Sequence, residues 1–150
     1  LKEIGSHGAG AGQFKTSHGL GVDTRGEKPV LLVCDRENGR IQAVDLDTMK
    51  MKVVTTGLRR PCSMSMWGKY TVVAELAGRV VILDENYKVV SKIGDNPNPK
   101  EWAKFDANPN IWQGGIFTAP HGVSFDAKGN LYVMDWNYKG RVTKLTKDKK

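Results

Sequence analysis

The sequence predicts an all-β fold, a β-propeller with three four-stranded blades, and two repeated patterns predict it. Three segments share an apolar run, an acidic residue, a short turn and Gly-Arg before Ile or Val: VLLVCDRENGRI, TVVAELAGRV and LYVMDWNYKGRV. A shorter phrase precedes each of them: SHGLGVD, PCSMSMW and PHGVSFD. Four short strands repeated every 40 to 50 residues, in round numbers, are typical of propeller blades.

Residues 16–58 are predicted to form blade 1. Apolar and polar side chains alternate, β-branched residues are frequent, and Gly, Asn and Asp separate the runs, as in antiparallel strands. We place the four strands at residues 19–23, 30–35, 40–47 and 51–56. Residues 1–15 begin with a strand-like segment, LKEIGSHG, that has no partner of its own. They are predicted to be an outer strand and link belonging to another blade.

Residues 59–94 and 118–150 are predicted to form blades 2 and 3. The strands of blade 2 are placed at residues 62–67, 70–75, 79–84 and 88–93, and those of blade 3 at residues 122–126, 131–135 and 141–146. No fourth strand follows in blade 3. The sequence therefore predicts one blade that lacks a strand and one strand that lacks a blade.

An insertion, residues 95–117, separates blades 2 and 3. In NPKEWAKF, Asn98 is placed to cap a single helical turn that begins at Pro99. The insertion also carries three large aromatic side chains that need burial: Trp102, Phe105 and Trp112. We therefore expect it to fold over the mouth of the propeller channel as a lid.

Several of these phrases are found in one known family. HGLGVD with NGRI, and PHGVSFD with Gly-Asn, an apolar strand ending in Asp135 and GRV, resemble the NHL-repeat family of propellers. The stretch GSHGAGAGQF resembles that family's link between blades. The resemblance covers most of the chain outside residues 95–117, and it implies a ring of six blades.

Three blades do not close such a ring, so we expect two copies of the chain to close it together. Residues 1–8 of one copy would pair with the strand at 141–146 of the other, in the two-fold symmetry that is commonest among homo-oligomers. We expect an interface above roughly 2,000 Å². The residues predicted to close the dimer are Leu1, Ile4, Val142 and Leu145. The chain is interpreted as a self-assembling scaffold, engineered or excised, without catalysis or a required cofactor; the alternative is a fragment of a longer chain.

The equivalent starts of the three first strands carry His18, Cys62 and His121. The resemblance extends to the amidating-lyase members of the family, which implies zinc held by histidines from alternate blades. In the dimer, alternate blades would offer His18 and His121 of one chain and Cys62 of the partner, a departure from three histidines. A zinc tripod needs three such N or S donors. The alternatives are a zinc-dependent lyase-like enzyme, with Tyr138 or Asp135 as base, and polar residues that line a channel.

The face of the propeller at which the three first strands begin is called the top face. It is expected to gather further ligand-binding side chains: Arg36, Arg59, Arg60, Trp102, Trp136 and Tyr138. The net charge of +7 leaves RNA or another polyanion as a third alternative. Asp35, Glu75 and Asp135 interleave negative charge there, which makes nucleic acid the weaker partner. Because these acidic residues recur in every repeat, we interpret them as turn-fixing groups.

Composition excludes other classes of protein. No apolar run approaches the roughly 20 residues of a membrane helix, so no membrane partner is expected. Two cysteines are too few for a disulfide framework, and Cys34 is predicted to be a small core residue. No targeting segment is recognised, so the sequence predicts no cellular location.

Overall fold

The computed structural model describes Leu1 and residues 3–147. Antiparallel β-sheets dominate it, which confirms the all-β prediction, and the described part has no α-helix. Sheet order follows chain order in each of three blade-like sheets, called blades 1 to 3. Blade 1 comprises β3 (Ser17–Asp23), β4 (Val30–Asp35), β5 (Arg40–Asp45) and β6 (Met51–Thr55). Blade 2 comprises β7 (Pro61–Trp67), β8 (Tyr70–Glu75), β9 (Arg79–Leu83) and β10 (Val89–Ile93).

Blade 3 has three strands within the described residues: β11 (Pro120–Phe125), β12 (Leu131–Asp135) and β13 (Arg141–Leu145). The predicted strand positions agree to within a few residues. The third strand of blade 1 ends at Asp45 and not at residue 47, because the Asp45 carboxylate accepts hydrogen bonds from the main-chain N–H groups of Asp47 and Thr48 and closes the turn early. Among the described residues, no helix is long and apolar enough to span a membrane.

The core lies between neighbouring blades. Blade 2 is apolar on both faces because it is the middle blade: Val73 packs in the cluster shared with blade 1, and Val72 in the cluster shared with blade 3. Cys34 is fully buried in the first cluster, as predicted. Strand β7 lies between β3 and β11 and contacts both, so the first strands of the three blades run side by side.

Each blade holds the link before it through a buried carboxylate and an arginine. Asp35, Glu75 and Asp135 are at most 1% exposed, and each pairs with the arginine that begins the next strand: Arg40, Arg79 or Arg141. Each carboxylate also accepts main-chain N–H groups of the link before its blade. Their interpretation as turn-fixing residues is therefore confirmed.

The N-terminal residues differ from the single outer strand that was predicted. Ser6–His7 (β1) pairs in parallel with Gln13–Phe14 (β2) of the same chain, and residues 3–5 form no strand. The link between β1 and β2 is held by blade 1, since Asn38 donates to the carbonyl of Gly8 and Arg40 to those of neighbouring residues. Local hydrogen bonds thus engage part of this segment, and its pairing with a partner chain stays a prediction.

The insertion contains two 3-10 helices, Pro99–Glu101 and Pro109–Ile111. Asn98 caps the first as predicted, its side chain accepting from the Lys100 N–H at 3.2 Å. The expected burial of Phe105 is wrong: this ring is 46% exposed, because it packs on surface aromatics instead of entering the core. The fully buried aromatic of the segment is Phe117, which joins the cluster between blades 2 and 3.

Candidate functional site

The first strand of each blade carries a bulge at its start. The register against the second strand shifts between Ser17 and Leu20 in blade 1, between Pro61 and Ser63 in blade 2, and between Pro120 and Gly122 in blade 3. The three predicted ligands lie within these shifts: His18, Cys62 and His121. A bulge turns one side chain out of the regular alternation of a strand, and here three equivalent bulges present three such side chains.

The bulges bring these side chains together within one chain. One ligand atom each from His18, Cys62 and His121 lies within 4.8 Å of the others, and the two imidazole rings meet edge to face with centroids 4.8 Å apart. The sequence placed Cys62 of the partner beside these histidines. The structure groups the chain's own Cys62 with them, because β7 lies between the strands that carry the two histidines.

His18 is oriented by the next blade. Its Nδ1 lies 2.8 Å from the main-chain carbonyl oxygen of Cys62. A carbonyl oxygen only accepts hydrogen bonds, so Nδ1 carries the proton and donates it. The lone pair of Nε2 then remains for a metal ion. Fixing a ligand imidazole through its other nitrogen is typical of metal sites in proteins.

Cys62 lies beneath the insertion. It is 1% exposed and packs with Leu76, Ala119 and Ala103. Ala103 is held by an N–H that donates to both the Leu76 carbonyl at 3.1 Å and the Thr118 carbonyl at 2.9 Å. Burial raises the pKa of the Cys62 thiol, and Arg36 and Arg60 oppose that shift. The insertion therefore covers one member of the cluster, as a lid would.

His121 begins a row of aromatic rings that runs outward. Trp136 lies against it with centroids 5.6 Å apart, Phe105 lies 5.0 Å from Trp136, and Tyr138 lies 5.8 Å from Phe105. Burial, with His18 and Arg36 nearby, holds the pKa of His121 below its usual value. Its imidazole is therefore neutral at neutral pH, which is the form that binds a metal.

The other predicted ligand-binding residues lie at different places relative to the cluster. Trp136 lies against His121, and Arg36 shares Glu37 with Arg60, whose carbonyl oxygen lies 3.5 Å from the Cys62 Sγ. Arg59 and Trp102 lie apart from it, with the guanidinium stacked over the indole at 4.1 Å and paired with Asp95 at 2.7 Å. Tyr138 is at the far end of the aromatic row.

The top-face arginines are paired with carboxylates. Arg36 and Arg60 share Glu37, at 2.9 and 3.0 Å, and Arg59 is paired with Asp95. Such pairing weakens the attraction of these arginines for RNA or another polyanion.

No protein-family model matches the chain, and no curated protein matches it significantly. The resemblance to NHL-repeat propellers therefore continues to rest on the repeated motifs. What the structure contributes independently is a set of three blade-like sheets and a His-Cys-His cluster at their first strands.

The donor set fits a transition-metal ion. Imidazole nitrogen and thiolate sulfur are both zinc ligands, at about 2.0 to 2.3 Å from the ion. Two ligand atoms at those bond lengths are roughly 3.3 to 3.8 Å apart in a tetrahedral site. A pair at the 4.8 Å limit would therefore have to close by about 1 to 1.5 Å. The group contains no carboxylate among the described residues. Its donors therefore suit soft or borderline metal ions better than hard ones.

Sequence reasoning missed two parts of this site. The sequence predicts burial of Phe105 within the insertion, yet its ring is half-exposed and extends the aromatic row beside Trp136. Ala103, in the left-handed region with a φ of 55°, was not singled out at all. Its role depends on hydrogen bonds to two residues distant in sequence, and nothing in the local pattern signals them.

Proposed function

We propose that the chain is half of a six-bladed propeller that closes into a ring with a second copy of itself. The observation that carries this proposal is that positions buried between blades of this chain are exposed on its two open flanks. The open flanks are the face of blade 1 that points away from blade 2 and the face of blade 3 that points away from blade 2.

The open flank of blade 1 is recognised by register. Leu20, Met64 and Val123 occupy the same position in their blades, each opposite a valine of the second strand. Met64 packs in the core between blades 1 and 2, and Val123 in the core between blades 2 and 3. This position therefore faces the preceding blade. Leu20 has no preceding blade among the described residues and is 64% exposed.

The open flank of blade 3 is recognised from the positions that face the following blade. The third strand of each blade has one residue at the same register position, opposite the next-to-last residue of the second strand. These residues are Ile41, Val80 and Val142. Ile41 and Val80 are fully buried against the following blade, whereas Val142 is 69% exposed. Leu145, the other predicted closure residue on this strand, packs instead in the core between blades 2 and 3.

A second copy satisfies both flanks at once. Blade 3 of one copy against blade 1 of the other would repeat the contact already present between blades 1 and 2 and between blades 2 and 3. Two such contacts related by a two-fold axis close a ring, which is how identical subunits usually assemble. Burying one such Leu or Val side chain in the interface would stabilise the dimer by about 1.5 to 3 kcal/mol. The number of six blades in the ring comes from the resemblance of the motifs.

The outermost edge of blade 3 favours the same partner. Strand β13 has no neighbour on its outer side among the described residues, and an unpaired strand edge is a template for another strand. Leu1 is fully exposed and Ile4 is half-buried, so the first residues are available to supply that strand to a partner.

Charge placed on an open flank tests the assembly. Val22 lies two residues after Leu20 in β3, so its side chain is on the same open flank, and it is 53% exposed. Val22→Lys is expected to convert the dimer to monomer, measured by sedimentation velocity. Val90→Lys is the matched control, since Val90 is 53% exposed like Val22 but lies on the outermost strand of blade 2. A wild-type chain that sediments as a monomer at all concentrations would overturn the proposal, and so would equal effects of the two substitutions.

A second function is favoured by the side-chain cluster. We propose that His18, Cys62 and His121 bind one transition-metal ion, because their ligand atoms converge within 4.8 Å. We do not extend this to lyase-like catalysis. Of the two bases considered from sequence, Asp135 is buried and paired with Arg141, and Tyr138 packs on Phe105 at the far end of the row.

Metal content tests this second function. After incubation with Zn(II) and gel filtration, about one ion per chain is expected by elemental analysis, falling toward zero in Cys62→Ala. His7→Ala is a matched control, because His7 is the remaining histidine and lies exposed in β1. Retention of no metal by the wild-type chain, or equal retention by Cys62→Ala, would contradict it.

A further inference from the structure

The cluster has an uncommon balance of donors for zinc. It offers two imidazoles and one thiol and no carboxylate among the described residues. Structural zinc sites are usually closed by four protein ligands, and catalytic ones add a water to three. Three soft or borderline donors without a fourth suit an ion that is stable in three-coordinate geometry. Soft thiolate ligands favour both Cu(I) and zinc over harder ions, so the lack of a fourth ligand among the described residues is what favours Cu(I) here.

The surrounding charge also discriminates between metals. Arg36 and Arg60 share the single carboxylate of Glu37, so this group of three carries one net positive charge. It lies next to the cluster, because the carbonyl oxygen of Arg60 lies 3.5 Å from the Cys62 Sγ. Zn(II) bound by one thiolate leaves a net charge of +1 beside that cation. Cu(I) bound by the same thiolate is neutral, so the repulsion disappears.

Burial increases the difference in electrostatic repulsion between bound Zn(II) and bound Cu(I). Cys62 is 1% exposed under Ala103, and Trp136 lies over His121. Electrostatic repulsion is screened least where water is excluded. A site whose thiol is fully buried and that adjoins a cation therefore disfavours a dication more than a fully exposed site would.

We propose that the ion held by His18, Cys62 and His121 is Cu(I) in preference to Zn(II). This inference rests on the proposed metal binding and names the ion class of that site. The Sγ–Cu bond forms as the thiol proton leaves to the buffer, and neither copper nor sulfur changes oxidation state. The nitrogen ligand of His18 is Nε2, since its Nδ1 donates to the Cys62 carbonyl.

Competition against chromophoric chelators tests the preference. The full chain is titrated without oxygen against a Cu(I) chelator, and separately against a Zn(II) chelator. We expect one Cu(I) per chain, retained in an excess of Zn(II). Cys62→Ala is expected to weaken Cu(I) binding by more than the roughly 10- to 100-fold that follows loss of an outer-shell partner. Cys34→Ala is the matched control, since that cysteine is equally buried but lies in the core between blades 1 and 2.

Two further variants separate charge from donor type. Arg36→Gln is expected to narrow the preference by strengthening Zn(II) binding more than Cu(I) binding. Cys62→His, which makes three imidazoles, is expected to reverse the preference toward Zn(II). Far-ultraviolet circular dichroism checks that each variant is folded.

The outcomes of these titrations distinguish failure of the preference for Cu(I) from failure of metal binding itself. If Zn(II) binds through the cluster and displaces Cu(I), the copper inference fails while metal binding stands. If Cys34→Ala abolishes Cu(I) binding and Cys62→Ala does not, the ion has been assigned to the wrong thiol and the inference fails. If neither ion binds to the wild-type chain, both proposals fail.

Discussion

The Nδ1 of His18 donates a hydrogen bond of 2.8 Å to the main-chain carbonyl of Cys62. This bond joins blade 1 to blade 2 at the cluster and fixes which nitrogen of His18 remains for a ligand. The orientation of His18 therefore depends on how closely the first strands of the two blades approach each other. Gly19, the next residue, controls that approach.

Gly19→Ala is expected to separate blades 1 and 2 at the cluster. A Cβ at residue 19 would lie 2.3 Å from the Cys62 carbonyl oxygen and 2.8 Å from the Ser63 Cα, both main-chain atoms. Overpacking of this kind costs about 1 to 3 kcal/mol, which urea unfolding measures. Gly26→Ala is the control, because its Cβ would meet nothing closer than 3.7 Å. Equal stability of the two variants would contradict this reading of the contact.

Asp35→Asn is expected to destabilise the chain by about 3 to 5 kcal/mol, as breaking a buried ion pair does. The Asp35 side chain is fully buried and pairs with Arg40 at 2.6 Å. The substitution leaves the Arg40 guanidinium without its charge partner. Chemical denaturation followed by tryptophan fluorescence measures the loss.

Asp47→Asn serves as the comparison for that substitution. Asp47 pairs with Lys28 at 2.9 Å, but both side chains are about 70% exposed, and exposed pairs contribute little. We expect almost no change in the denaturation midpoint. If Asp35→Asn were equally harmless, the carboxylate would not be holding the link before blade 1.

Acid is expected to weaken the contact between blades 1 and 2 through Asp23. The hydrogen bonds from Arg25 lower the pKa of this carboxyl to about 2, and the Tyr87 hydroxyl of blade 2 also donates to it, at 2.9 Å. Because the pKa is lower in the folded chain than in the unfolded chain, ionised Asp23 stabilises the fold above pH 4, in round terms. That stabilisation is lost as the pH falls toward 2.

The melting temperature of wild type and Asp23→Asn across this pH range measures the effect. The gap between them should be widest near neutral pH and should narrow as the pH is lowered. A gap that is the same at pH 2 and pH 7 would show that Asp23 does not contribute through its charge.

His121→Ala and His18→Ala are both expected to weaken metal binding by at least about tenfold. Each removes one of three donors, and His18→Ala also removes the bond to the Cys62 carbonyl. Equilibrium competition with a chelator measures the affinity, and His7→Ala should leave it unchanged. Binding that survives loss of either cluster histidine would place the ion elsewhere.

Much of the fold was predictable because the blades repeat. Strand β8, with Val72 and Val73 buried on opposite faces, reads as an apolar run between turns, and its equivalents do as well. The three cluster residues were found from their equivalent positions. Their grouping in one chain was not, because it depends on bulges that the sequence does not mark.

Other features depended on contacts between distant residues. Ser6–His7 pairs with Gln13–Phe14 because Asn38 and Arg40 hold the link between them, and no local pattern announces that. Hydrophobicity alone predicts that Phe105 is buried within the insertion. Its neighbours Trp136 and Tyr138 come from the turn of blade 3 between β12 and β13, and they cover part of the ring at the surface.

Native mass spectrometry of the unmodified chain tests the central claim most directly, because it counts subunits without relying on shape. Closure of the open flanks by a second copy predicts a species of twice 16.6 kDa that persists on dilution. A single species of 16.6 kDa at every concentration would contradict closure by a second copy. It would leave Leu20 and Val142 exposed on flanks that this chain does not cover by itself.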